Sequence, residues 1–215
     1  TMSICDALRS SGESTPIILA SSTQAEIENA YGKSKLNAEA AVKTLEIDTG
    51  CPVYVYRLPG VFGKWCKPNY NSVVATFCHN ISHNLPIRVS NPSFELNLVY
   101  IDDVVNEFIK CLNGDTKSGY IKIDIIYNKT LGEISELLYQ FKDNRNSLVI
   151  PNVASGFERS LYSTYLSYLS TDNFSYNLKG HQDDRGTFYE ILKTLDSGQF
   201  SLSTTAPGIM RGNHY

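Results

Sequence analysis

The feature that most constrains the fold is a pair of short apolar runs separated by a helical pattern. The runs occupy residues 16–20 and 53–58. Short apolar runs without polar alternation are typical of parallel strands buried on both faces. Between them, apolar residues recur at helical spacing from Tyr31 to Leu45, and Gly50 is placed to end that helix. The sequence therefore predicts a β–α–β unit within an open parallel α/β sheet.

Small hydroxyl residues follow the first strand, and a tyrosine and a lysine open the helix. Ser21, Ser22 and Thr23 stand at the carboxyl end of the strand, where open α/β sheets bind their ligands. Tyr31 and Lys35 are spaced to share one face of the helix. A lysine ammonium beside a phenol lowers the pKa of the phenol, which can then give a proton to a carbonyl oxygen near neutral pH.

This arrangement predicts a nicotinamide-dependent carbonyl reductase. We expect Tyr31 to donate the proton and Lys35 to tune it. The hydroxyl of Thr23, or of Ser22 as second choice, would hold the same oxygen.

Four sequence pieces, in a fixed order, carry a family resemblance. They are Leu-Ala-Ser-Ser-Thr at 19–23, Tyr-Gly-Lys-Ser-Lys at 31–35, Arg-Leu-Pro-Gly-Val-Phe-Gly at 57–63 and Val-Tyr-Ile-Asp-Asp-Val-Val at 99–105. Together they resemble the extended short-chain dehydrogenase/reductase family, whose members mostly act on nucleotide sugars. The resemblance covers roughly residues 1–150 and implies a Rossmann-type doubly wound parallel sheet with a small substrate lobe. The cofactor-binding residues that it implies are Ser21, Ser22, Tyr31, Lys35, Leu58, Pro59, Gly60 and Val61, the last three in a loop packed on the nicotinamide.

The start of the chain lacks the glycine-rich turn that binds the pyrophosphate in complete dinucleotide-binding folds. Residues 2–9 have the pattern of the second half of a helix. We therefore expect the chain to be part of a longer protein, with the first part of the nucleotide-binding domain outside it. The residues that distinguish NADP from NAD would lie in that part, so the sequence leaves the choice open.

Departures from the family pattern bear on the reaction and on the substrate. Sugar dehydratases of the family follow the threonine with an Asp-Glu pair, whereas this chain has Gln24 and Ala25, so reduction or 4-epimerisation remains. Many members also carry a pyrophosphate-binding arginine just before the Tyr-x-Asp-Asp stretch, where this chain has other residues. The substrate-binding candidates are Arg88, with Lys64 or Lys67 as alternatives, for the pyrophosphate, and Asn69 or Asn71 for phosphate or uracil.

The rest of the chain predicts further helices and strands. Strands are predicted at 85–89, 96–100 and 121–127, and helices at 72–84 and 157–169. Two further helices are predicted to begin at Asp102, as N-cap, and at a capping box formed by Thr130 and Glu133. His79 and His83 lie four residues apart in the first of these helices. A surface or core pair explains them better than a metal site.

The sequence pattern changes after residue 169. Residues 170–185 are polar and predict a linker, and two strand-like runs at 186–194 and 199–204 indicate a hairpin. The end of the chain resembles the opening of a cupin, a small β-barrel whose first metal ligand often lies in a Gly-x-x-His-x-His pattern. We therefore predict a reductase domain at 1–169, a linker at 170–185 and the start of a cupin at 186–215, with His214 as a zinc ligand.

A reductase followed by a cupin resembles the bifunctional UDP-sugar enzymes of capsular polysaccharide synthesis. In that family the cupin epimerises a UDP-4-keto-6-deoxy-N-acetylhexosamine at C3. The reductase then reduces the C4 ketone with NADPH, towards UDP-N-acetyl-L-fucosamine. The resemblance also implies a zinc-binding cupin and a homodimer. Two alternatives stay open: a UDP-sugar 4-epimerase that keeps its cofactor bound, and a nucleotide-sensing regulator without turnover.

Composition argues against several other classes of protein. The net charge of −3 and the lack of a basic block argue against nucleic-acid binding. No apolar run is long enough to span a bilayer. The five cysteines are scattered, as is usual for free thiols in a reducing cytosol. We therefore expect a cytoplasmic enzyme that binds a UDP-sugar, without nucleic-acid or membrane partners.

Overall fold

The computed structural model describes residues 1–210, which form two compact units. In chain order the elements are α1 Met2–Ser11, β1 Ile17–Ser22, α2 Ala30–Thr49, β2 Val53–Leu58, β3 Gly60–Phe62, α3 Val73–Ser82, β4 Glu95–Tyr100, α4 Ile101–Leu112, β5 Gly119–Ile121, β6 Tyr127–Thr130, α5 Leu131–Ser147, α6 Gly156–Leu166, β7 Gly180–Asp183, β8 Gly186–Lys193 and β9 Gln199–Ser203. Short 3-10 helices lie at Thr23–Glu26 and Thr171–Asn173. The first unit comprises Thr1–Phe62 and Glu95–Lys129, and the second comprises Gly63–Phe94 and the chain from Thr130 onward.

The first unit contains a parallel sheet with helices on both faces. Strands β1, β2 and β5 pair in that order, all parallel. Successive side chains of a strand point to opposite faces. Val53 and Val55 of β2 therefore pack with α1 and α2, whereas Tyr54 and Tyr56 pack with α4. This is the Rossmann-type α/β arrangement that the two apolar runs and the helix between them predict.

Helix α2 begins and ends with the caps that its sequence supplies. The side chain of Asn29 accepts a hydrogen bond from the Gly32 N–H at 2.7 Å, and Gly50 ends the helix in the left-handed conformation at φ 71°. Val42 and Leu45 are buried against the sheet. Burial of each such side chain contributes about 1.5–3 kcal/mol, so this face holds α2 on β1 and β2.

A smaller sheet corrects two of the predictions. Strands β3, β4 and β6 pair in that order, with β3 parallel to β4, so the predicted loop at Pro59–Val61 contains a short strand. The run at 121–127 is not one strand: β5 ends at Ile121 and β6 begins at Tyr127. The run joins two different sheets, which explains why its apolar residues do not form a single strand. The predicted strand at 96–100 is confirmed as β4.

The start of α4 differs from the prediction in one detail. Tyr100, rather than Asp102, is the N-cap, and it makes no side-chain capping bond. Asp102 lies in the first turn of the helix instead. A carboxylate there is favourable because it faces the positive end of the helix dipole.

The second unit is a helical layer followed by an antiparallel sheet. Helices α3, α5 and α6 bury an apolar core that includes Phe77, Phe141 and Leu161. The capping box predicted at the start of α5 is present, with the Thr130 N–H donating to Glu133 at 2.7 Å and the Glu133 N–H donating to the Thr130 hydroxyl at 3.2 Å.

The predicted strand at 85–89 is wrong. This stretch forms neither helix nor strand. Pro86 has no N–H to donate to a sheet. The Pro86 carbonyl instead accepts a hydrogen bond from the side-chain amide of Asn80 at 3.1 Å. Apolar residues alone were therefore a poor guide to pairing here.

The C-terminal hairpin is present and gains a third strand. Strands β7, β8 and β9 pair antiparallel, and β7 lies inside the predicted linker at 170–185. The Lys193 N–H donates to the Leu148 carbonyl, and the Ile150 N–H donates to the Lys193 carbonyl, both at 2.8 Å. Strand β8 is thus hydrogen-bonded to the segment that follows α5. None of the helices in residues 1–210 combines the length and apolar character that a bilayer crossing requires.

Candidate active site

Tyr31 and Lys35 lie in the first turns of α2, close to the carboxyl end of β1. The Tyr31 side chain is 51% exposed. The Lys35 Nζ lies 5.6 Å from the centroid of the Tyr31 ring. It also donates a hydrogen bond to the Ala20 carbonyl of β1 at 3.2 Å. The ammonium is therefore held between the phenol and the end of the strand, while the phenol remains open to a ligand.

The three hydroxyl residues after Ala20 have different environments. Ser21 is buried and its hydroxyl donates to Glu39 Oε1 at 2.5 Å. The Ser22 hydroxyl caps the first 3-10 helix by accepting the Gln24 N–H at 3.1 Å. Thr23 begins that 3-10 helix and is exposed. Of the three residues, Thr23 is the most exposed.

Gly32 lets the start of α2 approach the backbone of the 3-10 helix. A Cβ atom on Gly32 would lie 2.2 Å from the carbonyl oxygen of Gln24 and 2.4 Å from that of Ile27. Both distances are far below van der Waals contact, and both neighbours are backbone atoms. Any other residue at this position would force apart the two elements that carry Thr23 and Tyr31.

Sequence reasoning missed a buried carboxylate on the same helix. Glu39 is 1% exposed. Its carboxylate accepts hydrogen bonds from Arg57 Nε and Nη2, the shorter at 2.7 Å, and from the Tyr120 hydroxyl at 3.0 Å. It also accepts the hydrogen bond from Ser21 described above. Glu39 follows Lys35 at the spacing by which Lys35 follows Tyr31, and that repeat was the available signal.

The partners of Glu39 decide its protonation state. Burial by itself raises the pKa of the Glu39 carboxyl, because a charge is costly away from water. The hydrogen bonds from Arg57, Ser21 and Tyr120 outweigh that effect and hold the pKa below its usual range. Burial and the neighbouring Glu39 charge raise the pKa of the Tyr120 phenol. Glu39 is therefore an ionised carboxylate inside the first unit.

The stretch predicted to contact the nicotinamide lies at the end of β2 and in β3. Leu58 is buried at the carboxyl end of β2. Gly60 begins β3, and a Cβ atom on it would lie 3.1 Å from Leu98 Cδ2 and 3.3 Å from the Asn97 carbonyl oxygen. Pro59 and Val61 flank it and are partly buried. The glycine thus suits a close approach to β4.

The residues predicted to bind the substrate belong to the second unit. Asn69 and Asn71 are exposed and adopt the left-handed conformation at φ 57° and 54°. The Asn69 N–H donates to the Thr76 hydroxyl at 2.9 Å, which leaves its side-chain amide outside that bond. Arg88 is exposed in the irregular stretch after α3. These residues offer amide and guanidinium groups, which suit an anionic nucleotide.

Histidine positions bear on the prediction of a metal site. His214 lies outside the described residues. Within residues 1–210, no group of three or more His, Cys, Asp or Glu residues could hold a metal ion. The rings of His79 and His83 stack with centroids 4.3 Å apart. The His83 Nδ1 lies 2.8 Å from the carbonyl oxygen of His79, a contact made at the C-terminal end of α3.

Two family models match the chain. The NAD dependent epimerase/dehydratase family matches residues 9–123, which include Thr23, Tyr31, Lys35 and Glu39. The polysaccharide biosynthesis C-terminal domain matches residues 181–215. The second match begins within strand β7, in the stretch predicted as a linker.

Individual proteins give closer matches. The UDP-2-acetamido-2,6-beta-L-arabino-hexul-4-ose reductase of Pseudomonas aeruginosa is 52% identical over 100% of this chain and 58% of its own length. The crystal structure of the capsular polysaccharide assembling protein CapF from Staphylococcus aureus has 45% identity and a TM-score of 0.92, covering 98% of this chain and 58% of that one. These matches confirm the predicted resemblance to the capsular polysaccharide enzymes.

A more distant match shows the fold alone. The UDP-glucose 4-epimerase of Thermus thermophilus, solved in complex with NAD, has 16% identity and a TM-score of 0.60, covering 77% of this chain and 67% of that one. The chain spans 58% of the length of the Pseudomonas reductase and of CapF.

Proposed function

Because the chain belongs to the NAD dependent epimerase/dehydratase family, we propose that it forms the reductase part of a nucleotide-sugar enzyme. The reaction is NADPH-dependent reduction of the C4 ketone of a UDP-4-keto-6-deoxy-N-acetylhexosamine, on the route to UDP-N-acetyl-L-fucosamine. The observation that carries the proposal is the exposed phenol of Tyr31 with the Lys35 ammonium 5.6 Å from its ring, at the carboxyl edge of β1. The similarity to the UDP-2-acetamido-2,6-beta-L-arabino-hexul-4-ose reductase supports this reaction. The similarity to CapF supports a role in capsular polysaccharide assembly.

The proposed mechanism assigns one role to each exposed group. The nicotinamide supplies the hydride when it is bound. Tyr31 donates the proton to the ketone oxygen, a step that contributes roughly 10²- to 10⁴-fold in rate. Thr23 donates a hydrogen bond to the same oxygen and thereby orients the ketone. The ammonium of Lys35, held by the Ala20 carbonyl, supplies the positive charge that favours proton release by the phenol.

The hydrogen-bond donors at the carboxyl end of β1 fit a nicotinamide cofactor. The exposed Thr23 and Tyr31 and the partly buried Lys35 stand near the carboxyl end of β1, and this class of sheet binds nucleotides at the carboxyl ends of its strands. Ser22, Tyr31 and Lys35 would hold the ribose and nicotinamide side, and the backbone of Ser21 would contribute, since its hydroxyl is bonded to Glu39. Leu58, Pro59, Gly60 and Val61 would contact the nicotinamide ring.

For the substrate, we propose residues that bind its anionic and uracil groups. Arg88 would bind the diphosphate, and the amides of Asn69 and Asn71 would contact phosphate or uracil. Their exposure and hydrogen-bonding groups support this assignment. Lys64 and Lys67 are alternative cations for the diphosphate.

The C-terminal part of the proposal concerns a second catalytic domain. We assign residues 1–169 to the reductase, 170–185 to a linker and 186–215 to the start of a zinc-binding cupin that epimerises C3. The match of residues 181–215 to the polysaccharide biosynthesis C-terminal domain supports such a domain and favours a boundary a few residues earlier. His214 is the proposed zinc ligand. We further propose a cytoplasmic homodimer, as the UDP-sugar resemblance implies.

The alternatives are distinguished by cofactor stoichiometry. The full-length protein is incubated with the 4-keto sugar nucleotide and either NADPH or NADH. We expect one NADPH oxidised for each sugar reduced at C4. In a second incubation, with a UDP-N-acetylhexosamine that carries a C4 hydroxyl and with no added NADPH, interconversion of the C4 epimers would favour the 4-epimerase. Binding without turnover in both incubations would favour the regulator. Dehydration is not expected, because Ala25 is buried and carries no acid or base.

A further inference from the structure

Glu39 connects α2 to three neighbouring strands at once. Its partners are Ser21 at the end of β1, Arg57 near the end of β2 and Tyr120 in β5. Ser21 and Arg57 are direct partners in the parallel register of β1 and β2. The carboxylate therefore spans the strand pair at the edge where Tyr31 and Lys35 lie. We call Glu39, Ser21, Arg57 and Tyr120 the Glu39 cluster.

The Glu39 cluster also reaches the 3-10 helix that carries Thr23. Arg57 Nη1 donates to Glu26 of that helix at 2.5 Å, while Arg57 Nη2 donates to Glu39 at 2.7 Å. One guanidinium thus bonds α2 and the 3-10 helix together. The ring of Tyr120 lies 4.8 Å from the Arg57 guanidinium carbon, which limits the orientations of that group.

The proposed catalytic groups lie on two different elements, so their spacing depends on what joins those elements. Thr23 is on the 3-10 helix, whereas Tyr31 and Lys35 are on α2. Consecutive residues of β1 are bonded to α2, Ala20 through Lys35 and Ser21 through Glu39. Thr23 follows two residues later, with Ser22 capping the turn. Displacement of Glu39 would therefore change the separation of the Thr23 hydroxyl from the Tyr31 phenol.

We propose that Glu39 is a positioning residue that sets the geometry of Tyr31, Lys35 and Thr23 for reduction. This inference rests on the proposed function. Glu39 is 1% exposed and offers a ligand almost no surface, so it acts through Arg57 and Ser21. Misplacement of reacting groups by about 1 Å can cost 10²-fold in rate, which gives such a residue a measurable effect.

The test compares Glu39→Gln with wild type in the full-length enzyme. Glutamine keeps the size of the side chain but loses the charge and one acceptor for Arg57. We expect kcat per folded enzyme to fall by roughly 10- to 100-fold, with the KM for the UDP-sugar unchanged. A role confined to stability would lower the thermal midpoint and leave kcat per folded enzyme at the wild-type value.

Two further variants keep the test decisive. Asp48→Asn breaks an ion pair on the same helix, that of Asp48 with Arg9 at 2.9 Å, far along α2 from Tyr31, and should leave kcat unchanged. Ser21→Ala removes only the bond from Glu39 to β1 and leaves the pair with Arg57 intact. It decides the question if Glu39→Gln does not fold, and we expect its kcat to fall by about 3- to 10-fold.

The outcomes separate the two proposals. If kcat of Glu39→Gln lies within about twofold of the wild-type value, the positioning role alone is overturned. If Glu39→Gln does not fold, the same result with Ser21→Ala overturns it. A wild-type protein that does not oxidise NADPH with the keto sugar would overturn the proposed function and the positioning role with it. A loss of kcat at constant KM in Glu39→Gln and not in Asp48→Asn supports the positioning role.

Discussion

At the scale of single residues, the proposed chemistry needs a proton donor that a substrate can reach. Tyr31 lies in the first turn of α2 and is half exposed. We predict that Tyr31→Phe lowers kcat by roughly 10²-fold or more, the contribution of general acid catalysis. Cofactor affinity should change little, because the ring remains. NADPH oxidation with the keto sugar measures the effect. Tyr139→Phe, a similarly exposed helical tyrosine, is the control, and near wild-type turnover of Tyr31→Phe would exclude the role.

Lys35 gives a second prediction at this scale, concerning the charge beside the phenol. Its ammonium lies 5.6 Å from the Tyr31 ring centroid and is held by the Ala20 carbonyl. Lys35→Met removes this charge and should lower kcat and weaken cofactor binding. NADPH oxidation and cofactor titration measure the two effects. The control is Lys33→Met, which alters an exposed lysine of the same helix. Unchanged kcat and unchanged affinity would mark Lys35 as a solvated helix residue.

The proximity of two site residues was predictable from the sequence where the residues lie close together in the same helix. The spacing of Tyr31 and Lys35 fixes their shared helix face, so their proximity could be predicted without the sheet. Glu39 could not be identified in this way, because a glutamate in a helix is usually solvated. Its burial depends on Arg57 and Tyr120, which are distant in sequence and meet only when β2 and β5 pair.

At the scale of elements, the length of apolar runs and the capping residues predicted those helices and strands whose formation does not depend on a distant pairing partner. Strands β1 and β2 and helix α2 follow from buried runs and from Gly50. Strand β3 escaped prediction because Pro59 and Gly60 resemble a turn and the strand has only three residues. The strand predicted at 85–89 was wrong for the opposite reason, because the sequence resembled a strand where none forms. Its apolar residues alternate as in a strand, but Pro86 lacks the N–H that a β-ladder needs.

The attachment of α2 to the sheet predicts a dependence of stability on pH. The folded-state pKa of Glu39 is lowered, so its stabilising contribution is present above the unfolded value of about 4.3 and is lost as pH falls through the folded value. We predict that the free energy of unfolding falls on acidification below about pH 4 less steeply in Glu39→Gln than in wild type. Urea unfolding across this range measures it. Parallel curves would contradict the prediction.

At the scale of the whole molecule, hydrogen bonds attach the C-terminal sheet to the segment after α5, an attachment that the sequence did not indicate. Strand β8 is bonded through Lys193 to Leu148 and Ile150. Lys179 is exposed just before β7 and should be a site of tryptic cleavage. We predict that the nicked full-length protein keeps its two fragments together on native gel filtration and releases them in denaturant. Separation under native conditions would show that these hydrogen bonds are too weak to hold the two fragments together.

The proposed second domain gives a prediction about metal. His214 is the proposed zinc ligand, and a zinc site depends on each of its ligands. His214→Ala in the full-length protein should lower bound zinc, measured by metal analysis of the purified protein. His181→Ala, which alters an exposed histidine of β7, is the control. Equal zinc in wild type and His214→Ala would remove this residue from the metal site.

The close approach at Gly32 has a consequence for how such enzymes diverge. The first turn of α2 rests on the carbonyl oxygens of Gln24 and Ile27, not on their side chains. The exposed side chains of Gln24 and Ile27 can therefore change over evolutionary time while their backbone keeps the separation of Thr23 and Tyr31. The glycine is the constrained half of this contact. Substitution of these two residues can thus alter the surface beside Thr23 without rebuilding the proton donor.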